Sequence, residues 1–372
     1  MTRAIYRNTY AKIDLNAIKH NLNVIQTNLG KEKNIIPVLK ADAYGHGSVE
    51  VARFLESEHY DFFAVALLEE AMELREAGIQ ATILILGWVA PKYAYLAAQH
   101  NFILTVFQTT WLKEVRALTS EAKINIHIKL DTGMGRNGLR TETELENFLN
   151  ELSITSQIKV TGLYTHFASA DHLEVDYYNK QVARFNELAP LLWQMYPKQD
   201  LTSHIGNSGA SIQHTEDMTA YSRVGVSIYG MYPSHDLKQT APVKLKPALQ
   251  LKSEIIHVKQ ALAHDKISYS STYTAQEGEW IGTVAIGYAD GWLRKLQNSD
   301  VLVAGKRMKV IGRICMDMLM IKLDKAYDIG TEVTLIGEDH GAFISVDEIA
   351  DQLDTINYEI TTNLSDRIPR IY

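Results

Sequence analysis

The chain has 372 residues, enough for two domains of ordinary size with a substantial core. A hydrophobic fraction of 46% and a charged fraction of 22% are typical of folded globular proteins and exclude intrinsic disorder. The net charge of −7, without a basic run, argues against nucleic-acid binding through phosphate contacts. The single cysteine, Cys315, excludes an intrachain disulfide.

The ends of the chain and its apolar runs give no sign of export or membrane insertion. Residues 1–15 lack the apolar core of a signal peptide, and the longest apolar stretch, 81–90, is about half the length that spans a bilayer. We therefore predict a cytoplasmic protein without a membrane segment.

In the first two-thirds of the chain, short β-branched runs alternate with amphipathic helical stretches such as 68–77 and 143–152. This alternation predicts βαβ units and a parallel sheet. About eight strands favour a closed (β/α)₈ TIM-type barrel over an open doubly wound sheet, which remains the alternative. The predicted strands are 34–41, 62–67, 82–87, 103–107, 124–131, 158–166, 201–206 and 221–230.

After about residue 242 the pattern changes to short strands separated by turn signals. This predicts a mostly antiparallel β domain at 242–372, following an α/β domain at 1–241. Only 346–353 reads as a helix there, and the strand-like segment 10–15 is compatible with either domain. The predicted strands are 249–258, 280–286, 301–303, 309–313, 318–323 and 332–336.

Polar residues recur at the predicted strand ends of the first domain, where a barrel of this type places its active site. Lys40 ends the first strand, and Lys129, His166, Ser208 and Arg223 lie at or just after later strand ends. A lysine at such a position either reaches solvent or is desolvated, which lowers its pKa and frees its amine for a Schiff base. Five polar groups on one barrel face favour a functional site.

Residues 133–138 spell G-x-G-x-x-G after a strand, which is the dinucleotide-binding pattern. That fingerprint also needs an acid at the end of the next strand, to bind the ribose. Here the next strand ends in Thr165 and His166, so a nicotinamide-dependent oxidoreductase is disfavoured.

The segment from Val38 to Gly47, VLKADAYGHG, resembles the cofactor-lysine motif of the pyridoxal-phosphate-dependent alanine racemases. The resemblance continues in order across both predicted domains. It covers 129–138, 164–170, 223–230, 267–273, 286–292, 312–317 and 356–358.

The resemblance implies a set of pyridoxal-phosphate ligands and two catalytic bases. Lys40 corresponds to the lysine that forms the Schiff base and acts as one base, and Tyr269 to the opposing base. Arg223 corresponds to the residue facing the pyridine nitrogen, where a guanidinium would disfavour transamination, and His166 to its orienting partner. The phosphate contacts correspond to Tyr44, Ser208, the backbone of Gly225 and Val226, and Tyr358.

Further positions correspond to substrate-binding residues of the family. Arg136 and the backbone of Met316 correspond to contacts with the substrate carboxylate. Lys129 corresponds to a position that is carbamylated in many members; the alternative is an ordinary lysine paired with an acid, such as Asp131. The substrate entrance corresponds to Asp171, Tyr288, Arg294 and Arg313.

The resemblance therefore implies an isomerase that interconverts L- and D-alanine by two-base proton transfer, with no metal, and supplies D-alanine for peptidoglycan. It also implies a homodimer in which Tyr269 reaches the site of the other subunit. A pyridoxal-phosphate-binding barrel without catalysis and a racemase of another amino acid, such as serine, remain alternatives. The long second domain and Tyr269 weigh against the binding protein.

Overall fold

A computed structural model describes residues 4–118 and 122–372. It divides into two compact units by contact density. The barrel unit comprises Asn16–Ala43 and Ser48–Lys246, and the β unit comprises residues 4–15, Tyr44–Gly47 and Pro247–Tyr372. Among the described residues, no helix is both long and apolar enough to cross a membrane.

The barrel unit is built on an eight-stranded parallel sheet in the order β2-β9-β8-β7-β6-β5-β4-β3. A bridge between Val38 and Ala64 joins the two outer strands, so the sheet is nearly closed. This confirms the predicted barrel over the open sheet. With strands numbered along the whole chain, its members are β2 (Asn34–Pro37), β3 (Phe62–Val65), β4 (Thr82–Ile85), β5 (Ile103–Val106), β6 (Ile124–Lys129), β7 (Ile158–Tyr164), β8 (Thr202–Gly206) and β9 (Tyr221–Val224).

Helices connect these strands and bury their apolar faces against the sheet. Capping side chains fix where several of these helices begin. Thr141, for example, accepts a hydrogen bond from the Glu144 amide at the start of the helix that begins at Glu142. The helices are α1 (Leu15–Leu29), α2 (Lys40–Gly45), α3 (Ser48–Ser57), α4 (Leu68–Glu76), α5 (Ala94–Gln99), α6 (Thr109–Ala117), α7 (Glu142–Ser153), α8 (Asp176–Trp193), α9 (Ser208–Gln213) and α10 (His235–Thr240).

All eight predicted barrel strands are present, but most end earlier than predicted. The first ends at Pro37 rather than 41, the sixth at Tyr164 rather than 166, and the eighth at Val224 rather than 230. The prediction extended the strands because the apolar run continues into the buried loops that follow them. Lys40 therefore lies at the start of α2 and His166 in a loop, both beyond the strand ends.

The β unit contains a nine-stranded sheet in the order β18-β17-β14-β15-β16-β13-β10-β1-β19. Neighbours pair antiparallel, except that β1 and β19 are parallel. Its strands are β1 (Tyr10–Ile13), β10 (Leu249–Gln260), β13 (Trp280–Val284), β14 (Asp300–Val303), β15 (Lys306–Ile311), β16 (Leu319–Leu323), β17 (Glu332–Asp339), β18 (Ala342–Ile344) and β19 (Arg370–Ile371), with a separate hairpin of β11 (Lys266–Ile267) and β12 (Tyr273–Thr274).

The predicted β character of the second domain is confirmed, and the N-terminal strand joins it through β10. The predicted helix is α11 (Val346–Leu353). A second helix, α12 (Asn357–Thr362), was not predicted, because six residues give too few turns for a clear period.

Asn21 ties helix α1 to distant backbone within the barrel unit. Its amide nitrogen donates to the carbonyls of Ile228, at 3.0 Å, and Lys246, at 2.8 Å, and its oxygen accepts from the Lys246 amide at 2.7 Å. Asn21→Leu has nearly the same shape but leaves these groups unpaired. We expect it to lower the free energy of unfolding by about 2–4 kcal/mol.

Urea denaturation of Asn21→Leu measures this effect, with Asn23→Leu as the control on an exposed position of the same helix. The control is expected to change stability by less than about 0.5 kcal/mol. Equal midpoints for the two variants would show that the Asn21 hydrogen bonds contribute no stability.

Candidate active site

Lys40 begins a single left-handed turn, α2, directly after the first barrel strand. Ala41, Asp42 and Ala43 each have φ of 52°. This conformation costs an L-residue roughly 1–2 kcal/mol, because Cβ crowds the following carbonyl oxygen. The local sequence therefore does not favour the turn, and the surrounding structure must hold it.

Two carboxylates hold this turn by accepting from backbone amides, one in the turn and one at the start of α3. Glu70 Oε1 accepts from the Ala41 amide, and Asp42 Oδ1 accepts from the Ser48 amide, both at 2.7 Å. The other Glu70 oxygen accepts from the Ala66 amide at 2.7 Å, at the start of α4. Glu70 was not predicted; its signal was a glutamate at the third position of a predicted helix, which is a capping position.

Four basic side chains act on one another at this end of the barrel. Burial lowers the pKa of Lys40, as do the charges of Arg136 and Arg223, while Glu70 acts in the opposite direction. Burial, Arg136 and Arg223 lower the pKa of Lys129 to about 7, against the effect of Asp131. The site is thus arranged to receive negative charge.

Lys129 donates to Asn137 Oδ1, so its hydrogen bond goes to an amide. Asp131 instead organises the glycine loop, because its Oδ1 accepts from the amides of Gly133 and Gly135, both at 3.0 Å. Lys129 and Asp131 thus have different hydrogen-bond partners, although the charge of Asp131 still acts to raise the pKa of Lys129.

The G-x-G-x-x-G segment is a loop that folds back on its own strand. The Asp131 amide donates to the Leu139 carbonyl at 2.9 Å, and α7 begins only at Glu142. A dinucleotide fingerprint leads directly into a helix whose N-terminus binds the pyrophosphate. The geometry therefore also disfavours the oxidoreductase.

Arg223 is buried, with 3% of its surface exposed, and binds uncharged acceptors. Nη1 donates to His204 Nδ1 at 2.7 Å and to the His204 carbonyl, and Nη2 donates to the Thr165 carbonyl at 2.8 Å and to His166 Nδ1 at 3.3 Å. Burial lowers its pKa to about 10, so the guanidinium remains charged at neutral pH.

His204 and Tyr164 belong to this group although neither was predicted as a site residue. The Tyr164 ring stacks on His204, with centroids 4.6 Å apart, and the Arg223 guanidinium carbon lies 4.9 Å from the Tyr164 centroid. The Tyr164 hydroxyl is 2.9 Å from Thr105 Oγ1, and burial raises its pKa to about 12. The sequence signal that could have identified these two residues is a polar side chain at an inward-facing position of a predicted strand.

Ser208 and Gly225 are adjacent, since the Gly225 amide donates to Ser208 Oγ at 3.1 Å. Asn207 caps α9 by accepting from the Ala210 amide at 3.0 Å, which fixes the start of the helix that carries Ser208. Val226 follows in a buried 3-10 turn. Asp171 lies in a separate loop, where its carbonyl accepts from the Ser234 hydroxyl at 2.9 Å.

In the β unit, Tyr44 and Tyr358 pack together, with ring centroids 6.0 Å apart. Tyr269 is 65% exposed, in a turn between β11 and β12. The Ser268 hydroxyl donates to the Arg313 carbonyl at 2.5 Å, which connects this turn to the loop carrying Arg313.

Met316 and Tyr288 lie on two adjacent loops of the β unit. The Tyr288 amide donates to the Cys315 carbonyl, and the Ala289 amide to the Met316 carbonyl, each at 3.0 Å. A Cβ at Gly287 would lie 2.4 Å from both carbonyl oxygens, so the close approach needs glycine. Arg294 begins a 3-10 turn, Arg294–Leu296, which follows Tyr288 along the sequence.

Two family models match the chain. The model described as "Alanine racemase, N-terminal domain" matches residues 13–233, and "Alanine racemase, C-terminal domain" matches residues 248–372. The matches thus extend over both predicted domains.

Curated relatives match over nearly the full length. "Alanine racemase 1" of Bacillus subtilis is 43% identical over 100% of this chain and 94% of its own. The alanine racemase of Geobacillus stearothermophilus is 45% identical over 99% of this chain and 94% of its own.

Solved structures agree in fold. The alanine racemase of Bacillus anthracis with bound L-Ala-P has a TM-score of 0.95 at 42% identity, covering 99% of this chain and 95% of that one. A histidine racemase from Leuconostoc mesenteroides has a TM-score of 0.91 at 28% identity, covering 99% of both chains. A similar backbone therefore occurs in racemases that are named for different amino acids.

Lys129 is expected to form a carbamate with dissolved CO₂. Only the neutral amine reacts, and a pKa of about 7 leaves a large neutral fraction at neutral pH. The nitrogen bonds to the carbon of CO₂ and releases a proton to solvent, and Arg136 and Arg223 would stabilise the resulting anion. At fixed CO₂, occupancy should rise as pH increases through about 7.

Carbon-13 NMR of protein equilibrated with labelled bicarbonate detects the carbamate, with Lys129→Met as the control. We expect a carbamate signal that the variant lacks. An equal signal from both proteins, or none from the wild type, would contradict carbamylation of Lys129.

Proposed function

The chain belongs to the alanine racemase family, and from that premise we propose that it interconverts L-alanine and D-alanine. It is an isomerase of a pyridoxal-phosphate-dependent family. The observation that best supports the proposal is the group formed by Lys40, Lys129, Arg136 and Arg223 at the end of a barrel strongly similar to alanine racemases.

The chemistry of this group fits the cofactor and the substrate. Burial and, after it, repulsion among the cations lower the pKa of both lysines, and an anion beside them would relieve the repulsion. Pyridoxal phosphate carries a phosphate and a phenolate, and alanine carries a carboxylate. We propose that Ser208, Gly225 and Val226, with Tyr44 and Tyr358, hold the phosphate.

Bound pyridoxal phosphate supplies an electron sink that makes the Cα proton of an attached amino acid removable. Lys40 Nζ is suited to take that proton, because its lowered pKa favours the neutral amine. We propose that Lys40 serves one face of Cα and the phenol oxygen of Tyr269 the other. Two bases on opposite faces invert the carbon without either having to move.

Arg223 would donate a hydrogen bond to the ring nitrogen while keeping its own charge. With a pKa of about 10 it does not give up a proton at neutral pH, so the ring nitrogen stays unprotonated. This limits electron withdrawal into the ring and disfavours transamination. His166 and His204 orient the guanidinium through their Nδ1 atoms.

Arg136 and the Met316 backbone are proposed to bind the substrate carboxylate, with a carbamate on Lys129 holding Arg136. Asp171, Tyr288, Arg294 and Arg313 are proposed to line the entrance. In this proposal the protein is cytoplasmic, and the D-alanine it forms is used in peptidoglycan.

Chiral chromatography of L-alanine incubated with protein and pyridoxal phosphate tests the activity. We expect equal amounts of the two enantiomers at equilibrium, because they have the same free energy. L-serine and L-histidine run alongside as alternative substrates. Failure to form D-alanine would contradict the proposal. Faster turnover of serine or histidine would show that this amino acid, rather than alanine, is the preferred substrate.

We further propose that active sites are shared between two subunits of a C₂ dimer, with the exposed Tyr269 of each serving the other. Lys40→Ala and Tyr269→Phe should each be nearly inactive alone. Refolding them together in equal amounts should restore roughly a quarter of wild-type activity, because half of the dimers are mixed and each has one intact site. Activity that stays at the level of the separate variants would contradict shared sites.

A further inference from the structure

Three buried side chains form a hydrogen-bonded row inside the barrel unit. Arg223 Nη1 lies 2.7 Å from His204 Nδ1, and His204 Nε2 lies 2.8 Å from His127 Nδ1. Their exposed fractions are 3%, 0% and 0%. His127 lies on β6, at the opposite end of the row from Arg223.

The chemistry of the groups fixes the direction of every hydrogen bond in the row. A guanidinium only donates, so His204 Nδ1 must accept. Neutral His204 then carries its proton on Nε2 and donates it to His127 Nδ1. His127, in turn, carries its proton on Nε2.

Both imidazoles are held neutral. Burial and the charge of Arg223 lower the pKa of His127 to about 3, and burial, Arg223 and His127 place that of His204 well below its ordinary value. The positive charge therefore stays on Arg223. A row of fixed direction with the charge at one end holds that end in one orientation.

His127 ends the row. Its Nε2 is buried and has no hydrogen-bond partner among the described residues. The ring packs into space left by Gly162, where a Cβ would lie 2.5 Å from ring atoms, and edge-on to Phe62. The pairing of β6 with β7 shifts register between Ile126 and His127, which sets where this side chain points.

The buried N–H of His127 lacks a partner among the described residues, which is unfavourable, so this row lowers the stability of the folded protein. If His127 did not accept, the Nε2 proton of His204 would be buried without a partner, and Arg223 alone would favour this tautomer over the one protonated on Nδ1. In the Nδ1 tautomer that N–H would face an Arg223 N–H, and Arg223 would lose one of its four acceptors and be held less firmly.

We propose that His127 is a positioning residue that accepts the Nε2 proton of His204, stabilises this tautomer together with Arg223 and, through His204, helps to aim Arg223 at the ring nitrogen of the cofactor. The inference rests on the proposed function only for the identity of the group that Arg223 meets. The tautomer itself is independent of any reaction.

The variants His127→Asn and His127→Leu separate the acceptor from the shape of the side chain. Asn Oδ1 lies two bonds from Cβ, as His Nδ1 does, whereas Leu has the same shape as Asn without an acceptor. Both leave the same cavity, so a difference between them reports the hydrogen bond alone.

Nitrogen-15 NMR of the histidine rings in full-length protein with bound pyridoxal phosphate gives the first readout. We expect wild-type His204 to be protonated at Nε2 only, and His127→Asn to keep this state. His127→Leu should shift the His204 signals toward a mixture of tautomers. A proton on Nδ1 of wild-type His204 would overturn the inference.

Cofactor affinity gives a second readout that does not need turnover. We expect His127→Leu to bind pyridoxal phosphate about tenfold more weakly than His127→Asn. Equal affinities with unchanged His204 signals would overturn the proposal. If wild-type protein shows the expected tautomer but racemises no amino acid, the proposed function fails while the positioning role stands.

If His127→Leu does not fold, Gly162→Ala replaces it. The added Cβ must displace the His127 ring, so the same His204 shift and weaker cofactor binding are expected. If Gly162→Ala has the same His204 signals and the same affinity for pyridoxal phosphate as the wild type, the proposal is overturned.

Discussion

Burial of several cations beside one another at the carboxyl ends of the barrel strands determines the chemistry of the candidate site. Burial and neighbouring positive charge lower the pKa of Lys40 and bring that of Lys129 to about 7. The same field favours an anionic ligand, a reactive amine and a carbamate. One electrostatic arrangement would thus suit the proposed cofactor, the proposed substrate carboxylate and the expected carbamate.

Contacts within the barrel unit hold the turn at Lys40 and the Arg223 side chain in place. Glu70 holds the backbone of the left-handed turn that starts at Lys40. Arg223 is held by histidine nitrogens and backbone carbonyls rather than by a carboxylate, so its charge is not neutralised by its neighbours. The fold therefore fixes the positions of the cations while leaving their charge available.

The sequence predicts the barrel, the β domain and the group of polar strand ends, because alternation and strand-end chemistry are local patterns. The strand ends at Lys40 and His166 were placed too late, since apolar residues continue into buried loops. His204 and His127 were missed for a different reason. Their partners lie on other strands, and cross-strand contacts depend on register, which shifts at His127 and cannot be read from one segment.

Borohydride reduction of the protein with bound pyridoxal phosphate, followed by peptide mass mapping, identifies the lysine that forms the Schiff base. We expect a visible absorbance band that reduction removes, with the pyridoxyl group then fixed on Lys40 and absent from Lys129. Label on another lysine, or no label in protein that has been saturated with the cofactor, would contradict this expectation.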